Sequence, residues 1–566
     1  MRASLLASLL LSLLTAACQS GGGGGLPPAA PATPAAPAPA GPGSGTGAPL
    51  TLVKQYTEHL GRLTNTPAND IAAIGLKGTD LGVAFERDGK IVFLFGDSWT
   101  TDGANWDDDS AAWLPAGPLP AGGAMPRLIW FLEPPAPWRS GLRFLPLRVP
   151  GLRLGAMNVP LDAIAHGPTT YVFFNAGYDG ATGRHSTSAL AHTTGLAFDR
   201  LVLDHAVPSD KFLNVSAFVE GATVWIFGSG AYRASAPYLA TVDVAAIADR
   251  PSWRYFQGLD ASGAPRFGPD EASAAPLFGA GCLGELSVRP HPTLGLYLMT
   301  YNCAAPRGIH LRTAPSPWGP WSDPPQVIFA PGAFEDRGYE HFMHADVRAA
   351  GHDDGLSEPG RETEWGGEYG PYLVPAWFAD GPVPGSHAIV YTLSSWNPYA
   401  VHLLRTVLAA PGVAVPKPAP GASLPRARLA AADLATDPYA AGSGWQSSGD
   451  RFVRFFGGFG TPEWRLTTYA SPLGDGARGR LWQDFAVDAA TSELRFRVHG
   501  GHASVKLLRV ATGEVVRATR GRDDNGAEMP VVWRLESLRG ETVRLLIDDQ
   551  ETGPWGFVSV SGFELR

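Results

Sequence analysis

The chain has 566 residues, of which 45% are hydrophobic and 17% are charged, a composition that is ordinary for globular proteins. The formal net charge of −9, with no run of Lys and Arg, argues against nucleic acid as a partner. Gly and Pro contribute 69 and 51 residues, which favours many short strands and turns over long helices. The length predicts more than one domain.

Residues 1–18 have the features of an export signal. A short positive start at Met1-Arg2 precedes an apolar run from Leu5 to Leu14, and a small-residue cleavage site ends in Cys18. This segment resembles a bacterial lipoprotein signal, which implies that Cys18 carries a lipid and anchors the exported chain in the cell envelope, at the outer membrane or cell surface. An ordinary secretory signal, with an incidental Cys18, is the alternative.

Two stretches rich in Gly, Pro and Ala mark the domain boundaries. Residues 19–50 have no periodic apolar pattern and predict a disordered tether, and residues 411–425 predict a shorter linker. We therefore expect one domain at 51–410 and a second at 426–566.

The first domain repeats one pattern: a turn, an apolar aromatic strand, and a small or polar residue at its end. The instances are KIVFLFGDS (90–98), TYVFFNAG (170–177), TVWIFGSG (223–230), GLYLMTYN (295–302) and AIVYTLSSW (388–396). Such units cannot bury their faces alone, and packing around an axis solves this. The sequence predicts an all-β protein, with a five-bladed β-propeller followed by a C-terminal β-sandwich.

The second domain alternates apolar and polar residues over six short segments, as β-sandwiches do. Through HGGHASVKLLRV, VVWRLESLRG and IDDQETGPWGFVSVSGFEL it resembles the galactose-binding-like jelly rolls of secreted glycosidases. Such modules either bind carbohydrate or brace the catalytic domain, and both roles stay open here.

Residues 79–99 predict a β-hairpin with a carboxylate at each open end. Asp88-Gly89 is a favoured type I′ turn, and counting back from it places Asp80 directly opposite Asp97. Cross-strand partners have Cβ atoms about 5 Å apart, so one of two such carboxyls should keep its proton, giving one acid and one base. The alternative is that one Asp caps a turn while the other faces solvent.

Several stretches of the first domain resemble the domain-of-unknown-function family 4185, some members of which are endo-D-arabinanases. They are GTDLGVAF, FLFGDSW, GELSVRPHP, IHLRTAPSPWGPWSDP, YGPYLVPAW and YTLSSWNPYAVHLLRT. The resemblance implies a five-bladed propeller with its site in the central funnel and acidic function at Asp80 and Asp97. It makes an arabinofuranose-containing glycan one candidate substrate.

Glycoside hydrolysis needs a proton donor and a second carboxylate, and Asp80 and Asp97 supply both. Glu285 is the best third acid because it begins a strand of the fourth blade, although a salt bridge to Arg289 or to a neighbouring blade would also explain it. We expect Asp162 and Glu220 to be structural. The competing function is a non-catalytic carbohydrate-binding or adhesion lipoprotein.

Aromatic side chains after strand ends are candidates for stacking on sugar rings. Trp99 and Trp396 adjoin the motif stretches, and further candidates for substrate contact are Asn397, Tyr399, His341, Trp106 and Tyr178. Packing between blades is the alternative for the aromatic residues, and ordinary hydrogen bonding is the alternative for His341.

No metal site or cofactor is predicted. His341, His344 and Asp346 are more typical of hydrogen-bonded side chains than of a metal site, and residues 107–109 (three Asp) predict a solvated acidic turn. Cys282 and Cys303 flank one predicted hairpin of an exported chain, so we expect a disulfide between them, with two buried thiols as the alternative.

Overall fold

The computed structural model describes residues 51–66, 68–101, 108–120, 125–134, 141–279, 281–330, 366–416, 438–439, 443–456, 464–469, 474–489, 491, 493–521 and 528–566. Cys18, the tether, Trp106, His341, His344 and Asp346 lie outside these residues. Regular structure within them is β-strand, with single-turn 3-10 helices at Ala72–Ile74, Phe198–Arg200, Val244–Ala246, Arg250–Ser252, Glu271–Ser273, Pro375–Trp377, Gly474–Gly476 and Glu536–Leu538. In this part of the chain no helix is long and apolar enough to cross a membrane.

Five antiparallel sheets form the blades of a propeller, and the N-terminal strand β1 (Val53–Arg62) completes the last of them by pairing with the strand at Ala400–Ala409. The first blade comprises β2 (Leu76–Gly78), β3 (Leu81–Arg87), β4 (Lys90–Thr100), β5 (Asp108–Pro115) and β6 (Ile129–Trp130). The second comprises β7 (Pro160–His166), β8 (Thr169–Ala176), β9 (Thr187–Thr194) and β10 (Val202–Pro208). The third comprises β11 (Asn214–Glu220), β12 (Thr223–Ser229), β13 (Pro237–Asp243), β14 (Arg254–Leu259) and β15 (Pro265–Gly268).

The fourth blade comprises β16 (Leu283–Pro290), β17 (Tyr297–Ala304), β18 (Arg307–Ala314) and β19 (Gln326–Phe329), and the fifth comprises β20 (Glu368–Tyr369), β21 (Ala379–Asp380), β22 (Ser386–Ser395) and β23 (Ala400–Ala409). A disulfide joins Cys282 to Cys303 at the edge of the fourth blade. Each of the five predicted aromatic runs forms the second strand of a blade.

Buried apolar clusters between neighbouring blades close the ring. Going around the axis, each cluster contains residues of two neighbouring blades, such as Leu94 and Phe174, Phe173 and Ile226, Phe227 and Met299, Leu311 and Ile389, and Val390 and Phe93. Successive residues of a strand point to opposite faces, so Phe93 and Leu94 contact different neighbouring blades. This explains why the second strands are apolar on both faces along their central residues, and each such side chain contributes about 1.5–3 kcal/mol by burial.

The C-terminal domain consists of two five-stranded sheets around one apolar core. Its strands are β24 (Gln446–Gly449), β25 (Val453–Phe456), β26 (Trp464–Thr467), β27 (Gly479–Ala486), β28 (Glu493–Gly500), β29 (Ser504–Arg509), β30 (Val515–Arg520), β31 (Met529–Arg534), β32 (Thr542–Asp549) and β33 (Val558–Leu565). Their spatial orders are 24-27-32-29-30 and 25-26-33-28-31. The predicted fold class, an all-β chain with a five-bladed propeller and then a β-sandwich, is confirmed.

Candidate active site at one end of the propeller channel

A buried ion pair crosses the middle of the propeller channel. Arg289 of β16 donates to the two carboxylate oxygens of Asp162 at 2.7 and 2.9 Å and to the Ser216 hydroxyl at 3.0 Å. These residues come from the fourth, second and third blades, so the pair ties the inner strands together. Asp162 therefore has the structural role expected of it, and so does Glu220, which accepts hydrogen bonds from other side chains of the third and fourth blades.

The two ends of the channel differ in chemistry. At the end where the inner strands finish lies a cavity of about 290 Å³, lined by apolar side chains together with Glu86 and Arg289. At the other end, where the inner strands begin, the carboxyls of Asp80, Asp97 and Glu285 gather with several tyrosines. This acidic end is the candidate active site.

Asp80 immediately precedes β3 and is 7% exposed. Its Oδ2 accepts a hydrogen bond from the Tyr369 hydroxyl at 2.9 Å, while its Oδ1 has no hydrogen-bond partner among the described residues. Burial raises the pKa of Asp80 to about 7, the hydroxyls of Tyr369 and Tyr399 oppose this rise, and the nearby charge of Glu285 adds to it. The carboxyl therefore holds a proton up to neutral pH.

The predicted direct pairing of Asp80 with Asp97 is wrong by one residue. The turn is as predicted, with Asp88 and Gly89 at φ 49° and 68° and Arg87 opposite Lys90. Gly82, however, is an extra residue in the ladder, since Val83 pairs with Leu94 but Leu81 pairs with Phe95. Because of this bulge the Asp80 carbonyl accepts from the Gly96 N–H at 3.2 Å, and Asp80 lies opposite Gly96.

Asp97 is 5% exposed. Its carboxylate accepts hydrogen bonds from a main-chain N–H of the second blade. The N–H of Met157 lies 3.0 Å from each of its two oxygens. Hydrogen bonds of this kind favour the ionised form of a carboxyl. Asp80 and Asp97 thus differ in their hydrogen bonding, because a tyrosine hydroxyl donates to Asp80 whereas a main-chain N–H donates to both carboxylate oxygens of Asp97.

Glu285 lies in β16 and is half-buried on the third-blade side of the site. Its Oε2 accepts from the Tyr232 hydroxyl at 3.1 Å and also from the Asn302 side-chain amide. Burial raises the pKa of Glu285, and the guanidinium of Arg233 counteracts this. Tyr232 is 38% exposed, so this part of the cluster faces solvent.

The burial of Asp109 contradicts the prediction of a solvated acidic turn at residues 107–109. Its side chain is 1% exposed, and neither carboxyl oxygen has a hydrogen-bond partner among the described residues. Burial raises the pKa of Asp109 well above its usual range, and the charges of Asp97 and Asp80 raise it further. Asp109 is therefore a buried fourth acid behind the site, while Asp107 lies outside the described residues.

The aromatic candidates form one packed group. Trp99 stacks on Tyr399 with ring centroids 4.3 Å apart, and Trp396 meets Trp99 edge to face at 5.6 Å. Trp99 and Trp396 are half-buried, but Tyr399 and Asn397 are fully buried. Burial leaves no ring face of Tyr399 open for the predicted stacking on a sugar, and the Tyr399 hydroxyl donates to the Asp97 carbonyl at 2.8 Å. The predicted contact of Asn397 with a sugar hydroxyl stays a prediction.

Sequence reasoning missed several residues of the site, which are Asp109, Met157, His185, Tyr232, Arg233, Asn302 and Tyr369. Asn302 ends the aromatic run of the fourth blade, so the repeated polar residue at that position was a usable signal. Three non-glycine residues with left-handed backbone surround the cluster, namely Leu81, Met157 and Arg233, with φ of 63°, 69° and 52°. Such strain costs about 1–3 kcal/mol each and concentrates at functional sites. Among the described residues, no group of three potential ligand side chains is arranged to hold a metal ion.

One protein-family model matches most of the propeller. Residues 159–405 match the family described as a domain of unknown function, DUF4185. The DUF4185 match covers the second to fifth blades and includes Glu285, whereas Asp80 and Asp97 precede it. It ends before the sandwich, so the jelly-roll resemblance stays a prediction.

Solved structures with a similar fold include glycosidases. An exo-β-1,3-galactanase from Phanerochaete chrysosporium, in complex with β-1,3-galactotriose, is 10% identical over 90% of this chain and 100% of its own, with a TM-score of 0.41. A GH43_1 enzyme from Xanthomonas citri complexed with xylose is 14% identical over 61% and 92%, with a TM-score of 0.32. An α-L-arabinofuranosidase from Podospora anserina in complex with cellotriose is 12% identical over 64% and 98%, with a TM-score of 0.35. No curated protein matches the chain at a significant level.

Proposed function

We propose that this protein is a glycoside hydrolase that uses Asp80 as proton donor and Asp97 as the ionised carboxylate. The observation that carries the proposal is the environment of Asp80 at the acidic end of the channel: a buried carboxyl with a pKa of about 7, one oxygen of which has no hydrogen-bond partner in the part of the chain that the structure describes. Buried polar atoms without partners are rare in folded proteins, and a ligand that completes them is a common explanation.

In the proposed reaction Asp80 gives its proton to the glycosidic oxygen as the bond to the anomeric carbon breaks. Asp97 either takes a proton from the water that attacks that carbon, or attacks the carbon itself to form a glycosyl ester, which a water deprotonated by the ionised Asp80 then hydrolyses. In both cases the leaving sugar departs as an alcohol with the proton from Asp80. Glu285 supports this chemistry because its negative charge raises the pKa of Asp80. The half-buried rings of Trp99 and Trp396 supply apolar faces for a sugar, and we propose a polysaccharide or glycoconjugate, including arabinofuranose-containing glycans, as substrate.

The decisive experiment measures sugar release from a panel of arabinans, galactans and other glycans by mass analysis of the products. Asp80→Asn and Asp97→Asn should each lower release by about 10²–10⁴-fold. Glu86→Gln is the matched control because Glu86 is an exposed acid on the same hairpin, at the opposite end of β3. Equal release by the parent and both Asn variants would overturn the proposal, and retention of a glycan without cleavage would favour the binding alternative.

We also propose that the chain is exported and anchored to the cell envelope through a lipid on Cys18. The proposal rests on the signal-like residues 1–18 and the tether-like composition of 19–50. Metabolic labelling with palmitate should mark the parent protein, and Cys18→Ser should remove the label. A labelled Cys18→Ser variant would contradict the anchor.

A further inference from the structure

A histidine of the second blade holds the main-chain group that binds Asp97. The His185 Nε2 lies 2.6 Å from the Met157 carbonyl oxygen, and the N–H of the same Met157 lies 3.0 Å from both oxygens of Asp97. A carbonyl oxygen only accepts hydrogen bonds, so Nε2 carries the proton and donates it. Hydrogen bonds to the C=O and from the N–H of Met157 thus connect the His185 imidazole to the Asp97 carboxylate.

We propose that His185 is a positioning residue for Asp97, acting through Met157 and never touching the substrate; this inference rests on the proposed function. Met157 has φ 69°, a conformation that a non-glycine residue adopts only when its surroundings hold it. Without the His185 donor, the peptide of Met157 has less reason to keep this conformation and to direct its N–H at Asp97.

Other hydrogen bonds hold the residues next to Met157, so His185 acts only on the Met157 peptide. Asn158 donates to the carbonyls of Gly155 and Ala156 at 3.3 and 3.2 Å and accepts from the Tyr178 N–H at 3.0 Å. These bonds hold the backbone on both sides of Met157. Among the described residues, only His185 donates a hydrogen bond to the Met157 carbonyl. Removing it should loosen Met157 without unfolding the blade.

The Met157 N–H is important because other acidic side chains lie near Asp97. Groups that interact with the charge of Asp97 from the other packed elements include the carboxyl of Asp109 and the hydroxyls of Tyr178 and Tyr399, and the carboxyl of Asp80 lies on the neighbouring strand, opposite Gly96. The carboxyls disfavour a further negative charge, so the Met157 N–H opposes them by stabilising the ionised form of Asp97. Burial lowers the pKa of His185, so the ring is neutral and adds no positive charge of its own.

The test uses His185→Phe, which keeps a planar ring but has no donor, and His185→Gln, which keeps an N–H. His192→Phe is the matched control because His192 lies on the same blade and pairs with Asp204 at 2.7 Å, away from Met157. Two quantities are measured on the full chain: hydrogen–deuterium exchange of the peptide that contains residues 155–158, and the pH profile of kcat/KM for sugar release.

His185→Phe should speed exchange at Met157 by about tenfold, which corresponds to about 1.4 kcal/mol, and should move the acidic limb of the profile to higher pH. His185→Gln should restore both quantities, and His192→Phe should change neither. Unchanged exchange in His185→Phe, or faster exchange with an unmoved acidic limb, would overturn the positioning role. If the parent released no sugar, the proposed function would fall, while the exchange measurement would still decide whether His185 holds Met157.

Discussion

The hydroxyl of Tyr369 donates to Oδ2 of Asp80 across 2.9 Å, and this bond joins the fifth blade to the first at the acidic cluster. It lowers the pKa of Asp80, which burial raises to about 7. Tyr369→Phe removes the donor, so the pKa of Asp80 should rise further. Because Asp80 acts as the proton donor in our proposal, the alkaline limb of the kcat/KM profile should move up by about one pH unit.

Tyr171→Phe is the control for this prediction because Tyr171 is a half-buried tyrosine of β8 that contacts His192. It should leave both limbs of the profile unchanged. An alkaline limb that moves to lower pH in Tyr369→Phe, or does not move, would show that Asp80 is not the group that titrates in catalysis.

The repeated aromatic runs were sufficient to predict the blades, because the central part of each second strand is buried on both faces and is therefore apolar on both faces. The site was predicted only in part. Counting strand pairs assumes a regular ladder, and the bulge at Gly82 moves Asp80 by one position. Asp109 was misjudged because its burial depends on β5 packing inside the blade, which a local run of acids cannot reveal. Contacts such as Tyr369 with Asp80, 289 residues apart, leave no local pattern.

Asp80→Asn should make the protein more stable at high pH. The folded-state pKa of Asp80 is raised from 3.8 to about 7, so the folded chain binds the proton more tightly than the unfolded chain. The free energy of unfolding of the parent therefore falls as pH rises from about 4 to about 7, and it stays lower above that range. Asn does not titrate, so the variant lacks this loss, which is about 2–4 kcal/mol for a shift of this size.

Thermal unfolding of the parent and Asp80→Asn at pH 4.5, 6 and 8 checks this prediction. The difference in Tm should be small at pH 4.5 and should grow in favour of the variant at pH 8. A difference that is constant with pH, or that favours the parent more at pH 8, would contradict the buried, proton-holding state of Asp80.

Gly96→Ala should disturb Asp80 directly. A Cβ at Gly96 would lie 2.6 Å from Asp80 Oδ1, 2.8 Å from Leu81 Cδ1 and 2.9 Å from Val159 Cγ1, so the carboxyl must move. A displacement of about 1 Å at a reacting group costs up to about 10²-fold in rate, so we expect sugar release to fall by about 10–100-fold. Gly117→Ala is the control because its Cβ would meet nothing within 4 Å. Full activity in Gly96→Ala would mean that the position of Asp80 over Gly96 does not matter to the reaction.

The ion pair between Arg289 and Asp162 should stabilise the propeller without taking part in the chemistry. Both side chains are buried, at 7% and 1% exposure, and removing one partner leaves the other charge unpaired inside the protein. Arg289→Met should therefore lower the free energy of unfolding by about 3–5 kcal/mol. The double variant Arg289→Met with Asp162→Leu removes both charges and should recover most of that loss, because apolar side chains of similar volume often replace a buried ion pair without cost.

Denaturant unfolding of the parent and both variants measures this. A double variant less stable than Arg289→Met alone would show that Asp162 stabilises the channel through Ser216 and the Ala217 N–H rather than through Arg289.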